Sequence, residues 1–308
     1  MQYLNDLKQN EIKKESLLAI GVFDGVHLGH QHLFNHLIKT AKDHQLLSGV
    51  LTFKNHPATV LNSNFKPQLI TSPVEKIKLI ESMGIDFVVP ITFDKTLANL
   101  SAKSFIELIQ KHLSMKGISV GPDFHMGANR EADVSKLQNM GLKMGFFVNI
   151  PTLYEKTEIP VRSTSVRNSL MSGNVKLANS ILGRNFSLSG RIVKGFQRGK
   201  ELGFPTANLS FDENQLIPEN GIYATKVYLK NITYNGATSI GTNPTFQNQH
   251  KTIETFILNF NQDIYGESIK LEFIDKIRDE QSFKSVESLI IQMKEDVQKI
   301  QQILKNIK

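Results

Sequence analysis

Two histidines three residues apart, His27 and His30 in the run GVFDGVHLGHQ, are the first side chains whose type and spacing suggest chemistry. Gly29 between them lets a ligand approach the backbone. The residues that follow, Leu33, Phe34, Leu37, Ile38 and Ala41, recur with helical spacing. Those before, Leu17 to Val22, form a short apolar run suited to a buried parallel strand, and Gly21 and Gly25 punctuate a turn. A strand that passes into a helix through a glycine turn offers backbone N–H groups and the positive helix end to anions. Histidines there can donate hydrogen bonds to phosphate oxygens, so the stretch reads as a nucleotide site. Without that context, HxGH would be no more than two histidines at a helix start.

Three further groups carry candidate chemistry. In VRSTSVRNSL, from Val161 to Leu170, Ser163 and Thr164 suit a helix cap, and with Arg167 one turn on they equally suit a triphosphate clamp. In GRIVKGFQRGKELGFPTANL, Gly195, Gly199 and Gly203 with Lys194, Arg198 and Lys200 describe either a glycine-rich hairpin or a basic loop able to fold over phosphates. Thr206 and Asn208 close that run with a hydroxyl and an amide oxygen, hard donors suited to Mg²⁺. Alternation in IETFILNF sets Glu254 on the same face as Phe256, Leu258 and Phe260. A carboxylate there needs a partner or a task, as a general base or as a salt-bridged edge residue.

The elements that must position these residues fall into two kinds. The first half alternates strand-like runs (17–22, 49–53, 86–91, 118–121, 146–150) with amphipathic helical segments, one starting at Ser72-Pro73 and one spanning Ser101 to Leu113. That pattern predicts a doubly wound parallel sheet with helices on both faces, its ligands beyond the carboxyl ends of the strands. Three such ends are Gly21–His30, Asn55-His56-Pro57 and Gly121-Pro122-Asp123-Phe124. From Gly190 onward short alternating runs predict a small antiparallel barrel, with turns at Asn220-Gly221, Asn235-Gly236 and Tyr265-Gly266. A helix from Ser285 to Ile307 follows, whose stripe of Val286, Leu289, Ile290, Met293, Val297, Ile300 and Leu304 suits docking on the barrel.

Composition narrows the classes of function. The 308 residues include no cysteine, which excludes disulfides, thiolate metal sites and cysteine nucleophiles and fits a reducing cytoplasm. The N-terminus is polar, unlike a secretory signal, and no apolar run reaches membrane length. The net charge of +7 is scattered rather than gathered into a basic stripe with stacking aromatics, so a polyanionic small molecule such as ATP suits it better than nucleic acid.

Taken together, these motifs resemble those of the bacterial bifunctional riboflavin kinase/FAD synthetase family, over nearly the whole chain. GVFDGVHLGHQ and VRSTSVR are similar to its FMN adenylyltransferase module, a member of the HxGH nucleotidyltransferase superfamily. GRIVKGFQRGKELGFPTANL, GIYA, IGTNPTF and the Glu254 strand through RDEQSF are similar to its riboflavin kinase module. The resemblance implies an adenylyltransferase domain over 1–184 and a riboflavin kinase domain over 185–308. It implies that riboflavin is phosphorylated by Mg-ATP to FMN in the second, and that FMN is adenylylated to FAD, with release of pyrophosphate, in the first.

It also implies the site residues. Glu254 would be the kinase base, with Thr206 and Asn208 holding Mg²⁺, Gly195, Arg198, Gly199 and Gly203 on ATP, and Arg278 at the flavin. In the first domain His27 and His30 would stabilise phosphate charge, and Ser163, Thr164 and Arg167 would bind the triphosphate. Gly21, Phe23, Asp24, Gly25 and Gly29 would shape the ATP pocket, and His56, Pro57, Asp123 and Phe124 the flavin side. No nucleic acid, membrane or obligate protein partner is implied. The family's Pro-His-Pro is Asn55-His56-Pro57 here, Arg162 and Ser165 depart from its late clamp, and Ala132 stands for a glycine. These departures predict a less rigid flavin corner and weaker FAD synthesis.

Overall fold

The computed structural model describes residues 1–152, 154, 160–195, 199, 202–242 and 251–305. The chain folds as two compact units, Met1–Val161 and Arg162–Lys308.

In the first unit, α1 (Gln2–Gln9) precedes β1 (Ser16–Ile20), α2 (Leu28–Asp43), β2 (Leu47–Phe53), α3 (Ala58–Leu61), α4 (Pro73–Glu81) and β3 (Phe87–Ile91). After these come α5 (Lys95–Ala98), α6 (Ala102–Leu113), β4 (Met115–Ser119), the short β5 (His125–Met126) and β6 (Ala132–Asp133), α7 (Val134–Met144) and β7 (Phe147–Asn149). The main sheet has the order β3-β2-β1-β4-β7, with every pairing parallel. All five residues of β1 are buried, because alternate side chains serve two cores. Leu17 and Ala19 pack with Phe34 and Leu37 of α2 and Ile80 of α4, while Leu18 and Ile20 pack with Tyr3 and Leu7 of α1 and Ile106 and Ile109 of α6. Burying each such side chain contributes about 1.5–3 kcal/mol. The sheet is therefore doubly wound, as its alternating pattern predicts, and all its strands end on one edge. α1 is an addition: its sequence is mostly polar, and only Tyr3, Asp6 and Leu7 are buried.

Local signals explain several helix starts. Ser72 accepts the N–H of Glu75 at 3.2 Å with Pro73 next to it, and Ser101 caps α6 in the same way. The expected caps Ser163 and Thr164 are not caps. Arg162 holds the cap position without a side-chain cap bond, and Ser163 is already the first helical residue.

The second unit begins with α8 (Ser163–Met171) and α9 (Val175–Leu182). Strands β8 (Phe186–Val193), β9 (Thr206–Ser210), β10 (Gly221–Leu229), β11 (Ile232–Thr242), β12 (Lys251–Ile257) and β13 (Ser268–Arg278) follow, and α10 (Val286–Lys305) ends the unit. The six strands close into an antiparallel barrel in the order β10-β11-β12-β9-β8-β13. α9 is tied to that barrel by Asn179, which donates to Phe273 O at 2.8 Å and accepts from Phe186 N at 2.7 Å. The compact units thus part before α8, whereas the division expected from sequence follows α9. Ile300 and Leu304 of α10 bury against Ala224, Ile274 and Ile277, whereas Val286 at its start stays exposed.

Two barrel expectations are corrected. Asn235-Gly236 is not a turn but lies inside β11; the β10–β11 hairpin turns at Lys230-Asn231, both with positive φ. Gly236 is a packing glycine, since a Cβ there would come within 2.7 Å of Val227 and 2.8 Å of Thr225. The buried face of β12 is Ile253, Thr255 and Ile257, and the strand ends at Ile257. Glu254 and Phe256 occupy its half-buried face, so Glu254 is not embedded among three large apolar neighbours.

Candidate active sites

The Gly21–His30 stretch leaves β1 through a loop held in unfavourable backbone conformations. Phe23, Gly25 and Val26 all have positive φ, and for a β-branched residue such as Val26 that is strained, at a cost of about 1–3 kcal/mol. A buried network holds the loop. The Asp24 carboxylate accepts from Ile70 N at 3.0 Å and Thr71 N at 3.2 Å, Gly25 N donates to Thr71 Oγ1, and Gln31 donates to Val26 O. Gly21 is needed because a Cβ would lie 2.9 Å from the Phe23 ring.

His27 caps α2: its Nδ1 accepts the N–H of His30 at 3.3 Å, which assigns the ring proton to Nε2. The two imidazoles stack, with centroids 3.6 Å apart, and Phe23 meets the edge of His30. Nδ1 of His30 is buried with no hydrogen-bond partner among the described residues. Burial first, then the nearby charges of His27 and Lys76, hold the His30 pKa well below the usual histidine value. Two stacked imidazoles backed by a helix start make a donor set for phosphate.

β2, β1 and β4 are neighbours, so their three carboxyl-end loops lie side by side. After β2, His56 accepts the N–H of Ala58 and packs against Phe65, while Pro57 sits at the start of α3. The corner is braced where sequence predicts looseness: the Asn55 amide donates to Phe93 O and accepts from Phe93 N, both at 2.9 Å. After β4, Asp123 is exposed in a turn, and Phe124 lies half-buried against one of the two cores. A small cavity between the first two loops is lined by Val22, Asp24, His56, Thr71 and Lys76, among others.

Lys76 was not singled out by sequence. It lies four residues before Ile80 on the buried side of α4, a placement at odds with its charge. Its ammonium donates to Val22 O at 3.0 Å and Phe53 O at 2.9 Å, and burial pushes its pKa down to about 8 against the opposing pull of Asp24.

In the second unit Ser163, Thr164 and Arg167 occupy the first turns of α8. The barrel gathers a separate group. Asn208 pairs directly with Glu254 across β9 and β12, and Thr206 pairs with Phe256, so the hydroxyl, amide and carboxylate share one face. Thr206 Oγ1 donates to Glu254 Oε2 at 3.0 Å. Gly195 crosses this group so closely that a Cβ would collide with the Asn208 amide, and Gly199 lies 3.4 Å from the Thr206 hydroxyl by the same measure. Gly203 turns the chain back with φ near 84°. Arg198 lies outside the described residues, as do Lys200 and most of the TNPTF run.

Arg278 shares a register row with Glu254, through Ile222 and Ser239, but its guanidinium is engaged by Asp296 of α10. Nε lies 3.0 Å and one terminal nitrogen 2.7 Å from that carboxylate.

Comparison with known proteins matches these two constellations separately. Residues 9–165 match the family model for FAD synthetase and residues 182–304 the model for riboflavin kinase. The bifunctional riboflavin kinase/FMN adenylyltransferase of Buchnera aphidicola from Acyrthosiphon pisum is 38% identical over 93% of either chain. The chain belongs to the bifunctional riboflavin kinase/FMN adenylyltransferase family. Relatives with the same name include that of Escherichia coli K12, 36% identical over 91% of this chain and 90% of its own, and that of Bacillus subtilis, 32% identical over 97% and 95%. A solved structure from Streptococcus pneumoniae, named macrolide-efflux protein, is 31% identical, covers 97% of this chain and 96% of its own, and superposes with a TM-score of 0.89. Efflux is said of that protein; among the described residues here no helix is long and apolar enough to cross a membrane. The chain is an enzyme with an FMN adenylyltransferase unit followed by a riboflavin kinase unit.

Proposed function

We propose that both reactions draw on ATP, that the Glu254 group carries out phosphoryl transfer to riboflavin, and that the His27–His30 pair carries out adenylyl transfer to FMN. The observation that supports the first assignment is the Thr206–Glu254–Asn208 triad beneath two glycines that leave no room for a side chain. Glu254 takes the proton of the riboflavin 5′-hydroxyl as that oxygen attacks the γ-phosphate. The donor set fits a hard cation: Thr206 Oγ1 and Asn208 Oδ1 would hold Mg²⁺ together with substrate phosphates, and the ion would neutralise charge on the transferring group. Gly195, Arg198, Gly199 and Gly203 cover the phosphates, and Arg278 braces the flavin side through its pairing with α10.

In the first unit the FMN phosphate is already an anion, so attack on the α-phosphate of ATP requires no protein base. His27 through Nε2, and His30 through its buried ring, donate to phosphate oxygens, which gain charge in the transition state. Gly21, Phe23, Gly25 and Gly29 shape the ATP side, and Asp24 holds their loop. His56, Pro57, Asp123 and Phe124 form the flavin side. The enzyme works in the cytoplasm on small molecules, without an obligate protein or nucleic-acid partner.

Incubating the purified full chain with riboflavin, ATP and Mg²⁺ and separating the flavins tests this reading. FMN followed by FAD is expected, both lost on chelation of Mg²⁺. FMN without FAD overturns the role given to the first unit, and no product overturns both.

A further inference from the structure

We propose that Lys76 is a positioning residue for adenylyl transfer, its buried ammonium tying together the carboxyl ends of β1 and β2. The inference rests on the assignment of the His27–His30 pair to that reaction. The geometry carries it. Lys76 lies in the first turn of α4, 6% exposed, and its ammonium bridges Val22 O, at the root of the histidine loop, and Phe53 O, two residues before the Asn55-His56-Pro57 corner. One side chain therefore fixes the spacing of two loops, one on the ATP side and the other on the flavin side. Two carbonyls employ two of its three protons, and Lys76 also lines the cavity between the loops.

A hydrocarbon of the same length could fill the space but could neither bridge the carbonyls nor repel a proton from His30. Among the described residues of this unit, the charged and titratable groups that act on His30 are His27, stacked on it from the helix cap, and Lys76 from α4; Asp24, on the loop, acts on Lys76. Both His27 and Lys76 oppose protonation of His30, as does its burial. Loss of the Lys76 charge must then raise the His30 pKa towards its ordinary value, and an apolar side chain of the same length keeps the burial contribution in place, so the change reads the charge. Lys76 itself titrates near pH 8, so its bridge weakens as the pH rises through that value.

The test follows FMN conversion to FAD by the full chain between about pH 5 and pH 9, with riboflavin phosphorylation by the same samples as an internal control. For Lys76→Met we expect kcat/KM for FMN to fall about tenfold and its acidic limb to move up by about half to one pH unit, with phosphorylation unchanged. Lys76→Arg keeps the charge, so its acidic limb stays that of the wild type, most of the rate returns, and the limb near pH 8 disappears. An acidic limb in Lys76→Met that overlays the wild type overturns the inference. Should Lys76→Met not fold, a wild-type limb near pH 8 that persists in Lys76→Arg overturns it. His30→Leu, which removes the donor, separates this failure from failure of the assignment beneath it. If that variant still makes FAD at the full rate, the assignment falls, and if FAD is lost while the Lys76→Met profile is unmoved, only Lys76 falls.

Discussion

The two groups proposed to handle nucleotide phosphates are built from opposite chemistry. At the end of β1 stand two imidazoles, the start of a helix and, behind them, a buried ammonium. On the barrel stand a carboxylate, a hydroxyl and an amide carried on paired strands. Under the proposed assignment the contrast follows from the nucleophiles. The phosphate of FMN reaches its reaction already ionised and needs only charge stabilisation, so donors suffice. The hydroxyl of riboflavin arrives with its proton, and a group must accept it. The scaffolds suit the tasks as well: a loop at a helix start presents N–H groups to an anion, while a barrel strand holds a carboxylate rigidly beside its neighbours.

The widest break between the two sites is expected from Glu254→Gln. The amide preserves shape but cannot accept a proton, so riboflavin phosphorylation should fall by about 10²–10⁴-fold while FMN added to the same protein is converted to FAD at the normal rate. Parallel loss of both rates would mean that Glu254 holds the fold instead. The mirror experiment is His30→Leu, which has no donor, and FAD formation should fall by about 10²–10³-fold with phosphorylation intact, as for removal of one transition-state donor. The same variant reports on pH. His30 is held neutral, its pKa below the ordinary value near 6.5, so the unfolded chain binds the extra proton first as the pH falls. That contribution is fully present above about pH 6.5 and is lost as the pH drops towards the folded-state pKa. The wild-type first unit should therefore lose thermal stability more steeply on acidification than His30→Leu does.

What sequence revealed and what it hid divide along the same physical line. The strand, glycine turn and helix around His27 and His30 are local, and periodicity with turn residues specifies them; the parallel sheet and the barrel follow from the two kinds of alternation. Glu254 was singled out on an apolar face that the folded strand does not have, because β12 ends at Ile257 and buries its other side. The carboxylate stands where it can act because of Thr206, a partner 48 residues away, and no local pattern carries that. Lys76 looks like an ordinary first-turn lysine until Val22 O and Phe53 O are brought over it. The β10–β11 turn was misassigned because Asn235-Gly236 is the stronger turn dipeptide, yet packing against Val227 and Thr225 requires that glycine inside the strand. Lys230 and Asn231 accept the left-handed conformation instead.

A smaller effect sharpens the barrel side. In Gly195→Ala the added methyl collides with the Asn208 amide, so either the loop or Asn208 must move. Displacement of about 1 Å costs up to about 10²-fold, so phosphorylation should drop roughly ten- to a hundredfold with a raised KM for ATP. FMN adenylylation should not change. An unaltered KM would mean that the loop does not lie over the nucleotide.

The smallest effect expected concerns the corner where this chain departs from Pro-His-Pro. A proline stiffens a corner by fixing its own φ; Asn55 reaches the same end by binding both backbone groups of Phe93, on the segment that follows β3. Asn55→Ala should therefore cost about 1–3 kcal/mol of stability in the first unit, leaving a partly buried N–H and C=O without their partner, and raise the KM for FMN a few-fold. Asn55→Pro decides whether rigidity or the Phe93 bridge matters. It restores the family residue but removes both hydrogen bonds, so here it should destabilise as much as alanine does. If proline instead matches or exceeds the wild type in melting temperature and FAD rate, the departure at Asn55 is a loss of rigidity after all, and the two carbonyl-and-amide contacts add nothing to the flavin side of the site.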